Sequence, residues 1–200
     1  MADMTSENGK DRPYRPSWID QFTDWVERLP APGWAVYLII GTVLILGQLL
    51  FLWLDGGLSV AEELLPIIIF NGLLTPFVLA LIHHLDRQAT TALNTMSPTL
   101  EMSEPEFDGF HFRLSNMPAV ATLIAGLIML LLVILMEQVS TLPVRYEALE
   151  QLPVFRIAFQ IVDKSSAFLL GVFVYHTIRQ LRLVNAINSN HTQVSLFNLG

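Results

Sequence analysis

The sequence predicts an all-α polytopic membrane protein with four transmembrane helices and an amphipathic in-plane helix before them. Three observations carry this. Of 200 residues, 52% are hydrophobic and 14% charged, with mean hydropathy +0.50, too apolar for an ordinary soluble domain. The apolar residues gather into four blocks of about 20, the length a helix needs to cross a bilayer. Lysine and arginine fall mostly on one side of those blocks.

Residues 1–16 (MADMTSENGKDRPYRP) are polar, punctuated by proline, and read as a disordered cytoplasmic tail. Ser17 has the look of an N-cap, with Asp20 three positions on as in a capping box. Trp18, Ile19, Phe22, Trp25, Val26 and Leu29 then recur at helical spacing, opposite Asp20, Asp24, Glu27 and Arg28. Pro30-Ala-Pro-Gly33 stops this helix. Residues 17–29 therefore lie in the membrane plane with their tryptophans at headgroup level, or dock against a cytosolic domain. No secretory signal precedes it, since the first apolar block follows a polar lead and is longer than a signal's apolar core.

The transmembrane domain, residues 34–178, has spans at about 34–54, 64–83, 117–136 and 153–176. Asp55-Gly-Gly-Leu-Ser-Val is a tight link between the first two. The second carries Pro66 and Pro76, read as packing kinks whose freed carbonyls neighbours satisfy. Residues 84–116 form a cytoplasmic loop. Leu85, Ala89, Leu93 and Met96 extend the second helix a few turns into it. Beyond Pro98, the Asp108-Gly109 turn pair and the alternation of Phe110, Phe112 and Leu114 predict a small hairpin or an irregular loop. The third span has no ionisable group and offers Ala121, Thr122, Ala125 and Gly126 as a small-residue packing face. The fourth continues outward through Ile178, Leu181, Val184 and Ile187 as a cytoplasmic extension, residues 177–200, which reads as truncated.

Orientation follows from charge. Lys10, Arg12, Arg15, Arg28, Arg87, Arg113, Arg179 and Arg182 share one side, against Arg145 and Arg156 on the other, so both termini are expected in the cytoplasm.

The candidate functional residues lie in the fourth span. Arg156, Gln160, Asp163 and Lys164 fall within an arc of roughly 100° shared with Ala167 and Gly171. A charge near the bilayer centre costs about 2.5 to 3.5 kcal/mol, so the stripe should face other helices or a wet cavity. At ~1.5 Å per residue, Asp163 and Lys164 lie roughly 14 to 15 Å from the outer surface. Asn71 and Thr75 of the second span and Gln48 of the first reach similar depths, and they are the polar groups open to the stripe. A structural clamp between helices is the preferred reading over a transport or proton path.

Several chemistries are excluded or disfavoured. Cysteine is absent, removing disulfides and thiolate chemistry. A net charge of -7 without a basic patch argues against nucleic acid. No P-loop, dinucleotide fingerprint, nucleophile elbow or HExxH occurs, and no enzyme activity is expected. Glu101, Glu104, Glu106, Asp108 and His111 lack ligand spacing and read as solvated loop residues. His83, His84 and His176 sit at the inner ends of two spans, where histidines without haem are commoner than haem ligands, so no cofactor is expected. The partners implied are the lipid bilayer and, beyond it, a second copy or another membrane protein.

The stretches PSWIDQFTDWVERLPAPGWAVYL and HTIRQLRLVNAINSNHTQVSLFNLG resemble a group of uncharacterised bacterial multi-pass membrane proteins. The resemblance covers about a quarter of the chain and implies a bacterial inner-membrane setting with no known activity. The layout, with a helix running out of the last span, also looks like the input module of membrane sensors, though without a phosphoacceptor segment. The functional expectation is thus a non-enzymatic sensing or anchoring module, with a transporter or channel component as the alternative.

Overall fold

A computed structural model describes residues 13–97, 102–139 and 151–191. Six helices make up the described chain: α1 (Trp18–Glu27), α2 (Gly33–Leu54), α3 (Ala61–Met96), α4 (Glu104–Ser115), α5 (Ala119–Val139) and α6 (Pro153–His191). Helices α2, α3, α5 and α6 are long and apolar enough to cross a membrane, which makes the chain a multi-pass membrane protein.

The capping box of α1 is formed: the Asp20 backbone N–H donates to Ser17 Oγ at 3.3 Å, and the Ser17 N–H donates to the Asp20 carboxylate at 2.7 Å. The apolar face of α1 does not stand apart from the spans. Ile19 and Val26 are buried in one cluster with Val36 and Tyr37 of α2, Val78, Leu79 and Ile82 of α3, and Leu169 and Val172 of α6. Trp18 and Trp25 stay exposed on its other flank. Residues 13–16, read with the tail, also pack here: Tyr14 Oη donates to the Asn116 carbonyl at 2.8 Å.

At the opposite end, Gly56 takes φ +75°, the left-handed turn that reverses the chain after α2. Asp55 before it accepts the Phe155 N–H at 2.7 Å, capping the first turn of α6 from another helix. Leu52, Leu64, Ile68, Leu152 and Phe155 close this end. Helix α5 lies against α6 through the small residues of its predicted face. A Cβ on Gly171 would meet Met129 Cβ at 2.5 Å and the Ala125 carbonyl oxygen at 2.6 Å, and one on Gly126 would strike the Phe168 ring.

The segment after Pro98 corrects the sequence expectation. Residues 104–115 are helical, neither a hairpin nor an irregular loop. Ser103 and Glu106 form a second capping box, and Pro105 lies in the first turn, where its missing N–H costs nothing. These signals outweigh Gly109, an interior helical glycine whose cost is only about 1 kcal/mol. Leu114 then joins Leu93 of α3 and Ile187 of α6 in a small core beyond the long apolar cluster. The predicted continuations of the second and fourth spans are thereby tied together.

Candidate functional site

Polar side chains inside the bundle fall into three groups, and the fourth-span stripe is not the group that joins the helices. Gln48 and Asn71, 2% and 3% exposed, meet in the middle of the bundle. Asn71 Nδ2 lies 3.3 Å from Gln48 Oε1 and 3.2 Å from the Phe159 carbonyl of α6. Gln48 Nε2 donates back to the Leu44 carbonyl at 3.2 Å. One turn along α3, Thr75 Oγ1 and the buried Ser166 Oγ are 2.7 Å apart. These bonds form a sealed clamp across α2, α3 and α6, with each amide and hydroxyl engaged.

The partners that Asn71 and Thr75 find on α6 are Phe159 and Ser166, not Asp163 and Lys164, and Gln48 bonds to Asn71 and to its own helix. The seam of α6 runs through Phe155, Phe159, Ser166, Leu169 and His176, and the charged arc lies to one side of it. Arg156 and Gln160 are exposed. Lys164 reaches sideways to Glu137 near the end of α5 and lies 3.1 Å from Asp163 Oδ2. Sequence neighbours thus do pair here, because a lysine side chain is long enough to fold back along its helix.

The third group gathers at the α1 end, around the histidines named from the sequence. His83 uses both ring nitrogens: Nε2 lies 3.0 Å from Glu27 Oε1 and Nδ1 lies 2.9 Å from Tyr37 Oη. In the Nε2-protonated tautomer the ring donates to Glu27 and accepts from the Tyr37 hydroxyl. His176, fully buried, has Nε2 3.1 Å from Asp86 Oδ1 without the alignment of a hydrogen bond, and its Nδ1 has no partner among the described residues. Gln180, one turn further along α6, donates to the same Asp86 oxygen at 3.2 Å and to the Leu114 carbonyl at 3.3 Å. Arg179 donates to Tyr14 Oη and covers that ring at 5.5 Å.

Asp20 anchors this end. Its Oδ2 accepts the Ser17 and Met117 N–H groups at 2.7 and 2.8 Å, so one carboxylate holds the starts of α1 and α5 together. Its Oδ1 is buried with no partner among the described residues. Burial pushes the carboxyl up to about 6, against the opposing pull of the two backbone donors. The sequence placed Asp20 on the wet face of α1, whereas the structure buries it.

A cleft of about 320 Å³ opens beside this network, lined among others by Glu27, His83, Asp86, Arg87, Thr91 and His111. Among the described residues no group of three or more histidines and carboxylates could hold a metal ion. Lys10, Arg12, Glu101 and Arg145, named from the sequence, lie outside the described residues. The residues that pattern alone did not mark are Tyr37, Asp55, Asp86, Ser166 and Gln180. Asp86 and Gln180 sit three and four positions after His83 and His176, the spacing of neighbours on one helix face, and that was the signal available.

Comparison with protein-family models, with curated proteins and with solved structures gave no match, so the assignment to multi-pass membrane proteins rests on the four apolar helices.

Proposed function

We propose that the chain is a non-enzymatic sensing or anchoring module of a bacterial inner membrane, with α1 lying in the membrane plane and the α1 end facing the cytoplasm. The observation that carries this reading is α6 itself. It is a continuous helix from Pro153 to His191, bonded to α3 at mid-membrane, and through Asn71 linked to Gln48 of α2, and packed against α3 and α4 beyond it. A displacement at Thr75–Ser166 has a rigid path to the Leu93–Leu114–Ile187 core, because a packed helix shifts as a body. The arginine-rich α1 end suits the cytoplasmic face.

Spin labels at Asp108 of α4 and Arg182 of α6, both exposed, test the transmission. In lipid, Ser166→Val is expected to shift the distance distribution between them. An unchanged distribution refutes the sensing reading. The alternative, a transporter or channel component, would use the charged stripe as a polar path. The mutual bonding of Gln48, Asn71, Thr75 and Ser166 favours a clamp instead. Ion or proton flux in proteoliposomes that disappears with Lys164→Ala would reverse that preference.

A further inference from the structure

We infer that the charged face of α6 is an interface on which a second copy of this chain packs, in parallel, within the membrane. The inference rests on the membrane embedding of the four apolar helices and is independent of the sensing reading. Gln48 and Asn71 are buried against one another, whereas the side chains of Asp163, Lys164 and Glu137 remain 39%, 25% and 50% exposed, and Gln160 is exposed beside them.

Depth makes that exposure costly. Ser166 lies level with Thr75, and Gly171 lies level with Met129, the midpoint of α5. Asp163 is three residues from the first and eight from the second, which puts it roughly 5 to 12 Å from the centre of a core about 30 Å thick. Lipid chains cannot solvate a carboxylate there. The neighbouring open positions of α6 are Ala167, Leu170, Val174 and Ile178, a small residue followed by apolar ones. The face therefore has the composition of a helix contact, polar in its outer half and apolar in its inner half.

Charge complementarity selects a second copy as the occupant. Arg156 and Lys164 balance Asp163 and Glu137, so the face has no excess of either sign to attract a cationic or anionic partner. Asp163 and Lys164 stand side by side at one depth. Two copies inserted in the same direction present equal residues at equal depths, and about a two-fold axis along the membrane normal each Lys164 meets the Asp163 of the other. Ala167, one turn on, permits close backbone approach.

The native chain has no cysteine, so single-cysteine variants of the full chain in host membranes report the contact. Val174→Cys is expected to form a disulfide-linked dimer with copper-phenanthroline, while Leu131→Cys, on the outer face of α5, stays monomeric. Adding Ala167→Phe should abolish the Val174→Cys dimer. Adding Asp163→Asn, nearly isosteric, should weaken dimerisation roughly tenfold, as expected when the substitution removes the charge from both Asp163–Lys164 pairs of the dimer. No cross-link at Val174→Cys, equal cross-linking at Leu131→Cys, an adduct with a different protein, or indifference to both added substitutions would each overturn the inference. Labelling at Ser59→Cys and Asn94→Cys reports the embedding separately, so a failed cross-link leaves that reading intact.

Discussion

Replacing Asp20 by alanine and by asparagine should give opposite outcomes. Alanine removes the acceptor that serves both the Ser17 and the Met117 N–H. An unsatisfied buried donor costs about 1 to 3 kcal/mol. Because both variants lose the desolvated charge, these two losses separate them, and alanine should be less stable than asparagine by about 2 to 6 kcal/mol. Asparagine keeps one acceptor oxygen for both donors and puts an amide where Oδ1 has no partner, so at pH 7.5 it should be neutral or stabilising. The pH dependence sharpens the contrast. With a carboxyl at about 6 in the folded protein and near 3.8 in the unfolded chain, the folded state binds the proton more tightly. The stability this contributes is complete below about pH 4 and is lost as pH rises through about 6, a change of about 3 kcal/mol. Melting curves of the purified protein in detergent, at pH 4 to 7.5, would show it. Relative to Asp20→Asn, the wild type should lose roughly 6 to 12 °C of melting temperature across that window. Parallel curves for the two proteins, or equal melting of the alanine and asparagine variants at pH 7.5, would refute the buried-anchor argument.

Substitutions at three further positions probe the packing. Asn71→Leu breaks the bonds to Gln48 and to the Phe159 carbonyl, and should lower stability by about 1 to 2 kcal/mol in the same melts. Gly171→Leu forces atoms into the space held by Met129 and Ala125, and overpacking of about 1 to 3 kcal/mol should loosen α5, read as faster proteolysis after residue 139. Asp55→Ala removes the acceptor for the Phe155 N–H and should cost about 1 kcal/mol, with Asp55→Asn restoring most of it.

Much of the architecture was legible because local chemistry and hydropathy agreed. Ser17 and Asp20 cap α1 as their spacing implies, and the small face of the third span does meet α6. What pattern could not supply is which arc of a two-arc helix turns inward. On α6 both the charged arc and the Phe155–Ser166–His176 arc are plausible seams, and the choice depends on Asn71 and Thr75 finding the Phe159 carbonyl and Ser166. Helix α4 was missed for a related reason. Gly109 and the alternating phenylalanines of a short segment read as a turn, while the Ser103–Glu106 box that starts the helix lay in plain sequence. The α1-end network was hidden because its members come from separate elements, with Glu27 of α1, Tyr37 of α2, His83 and Asp86 of α3 and His176 and Gln180 of α6 meeting only in the fold.

The central claim is a bundle that crosses the bilayer four times, with α1, α4 and the long ends of α3 and α6 on one side and the Asp55 turn on the other. Its most direct test is labelling of Ser59→Cys and Asn94→Cys, two exposed positions on either side of the second span, with a membrane-impermeant maleimide on intact spheroplasts. Ser59→Cys should label at once and Asn94→Cys only after permeabilisation. Labelling of both from the same side would contradict the four-span account, and labelling of Asn94→Cys alone would reverse its orientation.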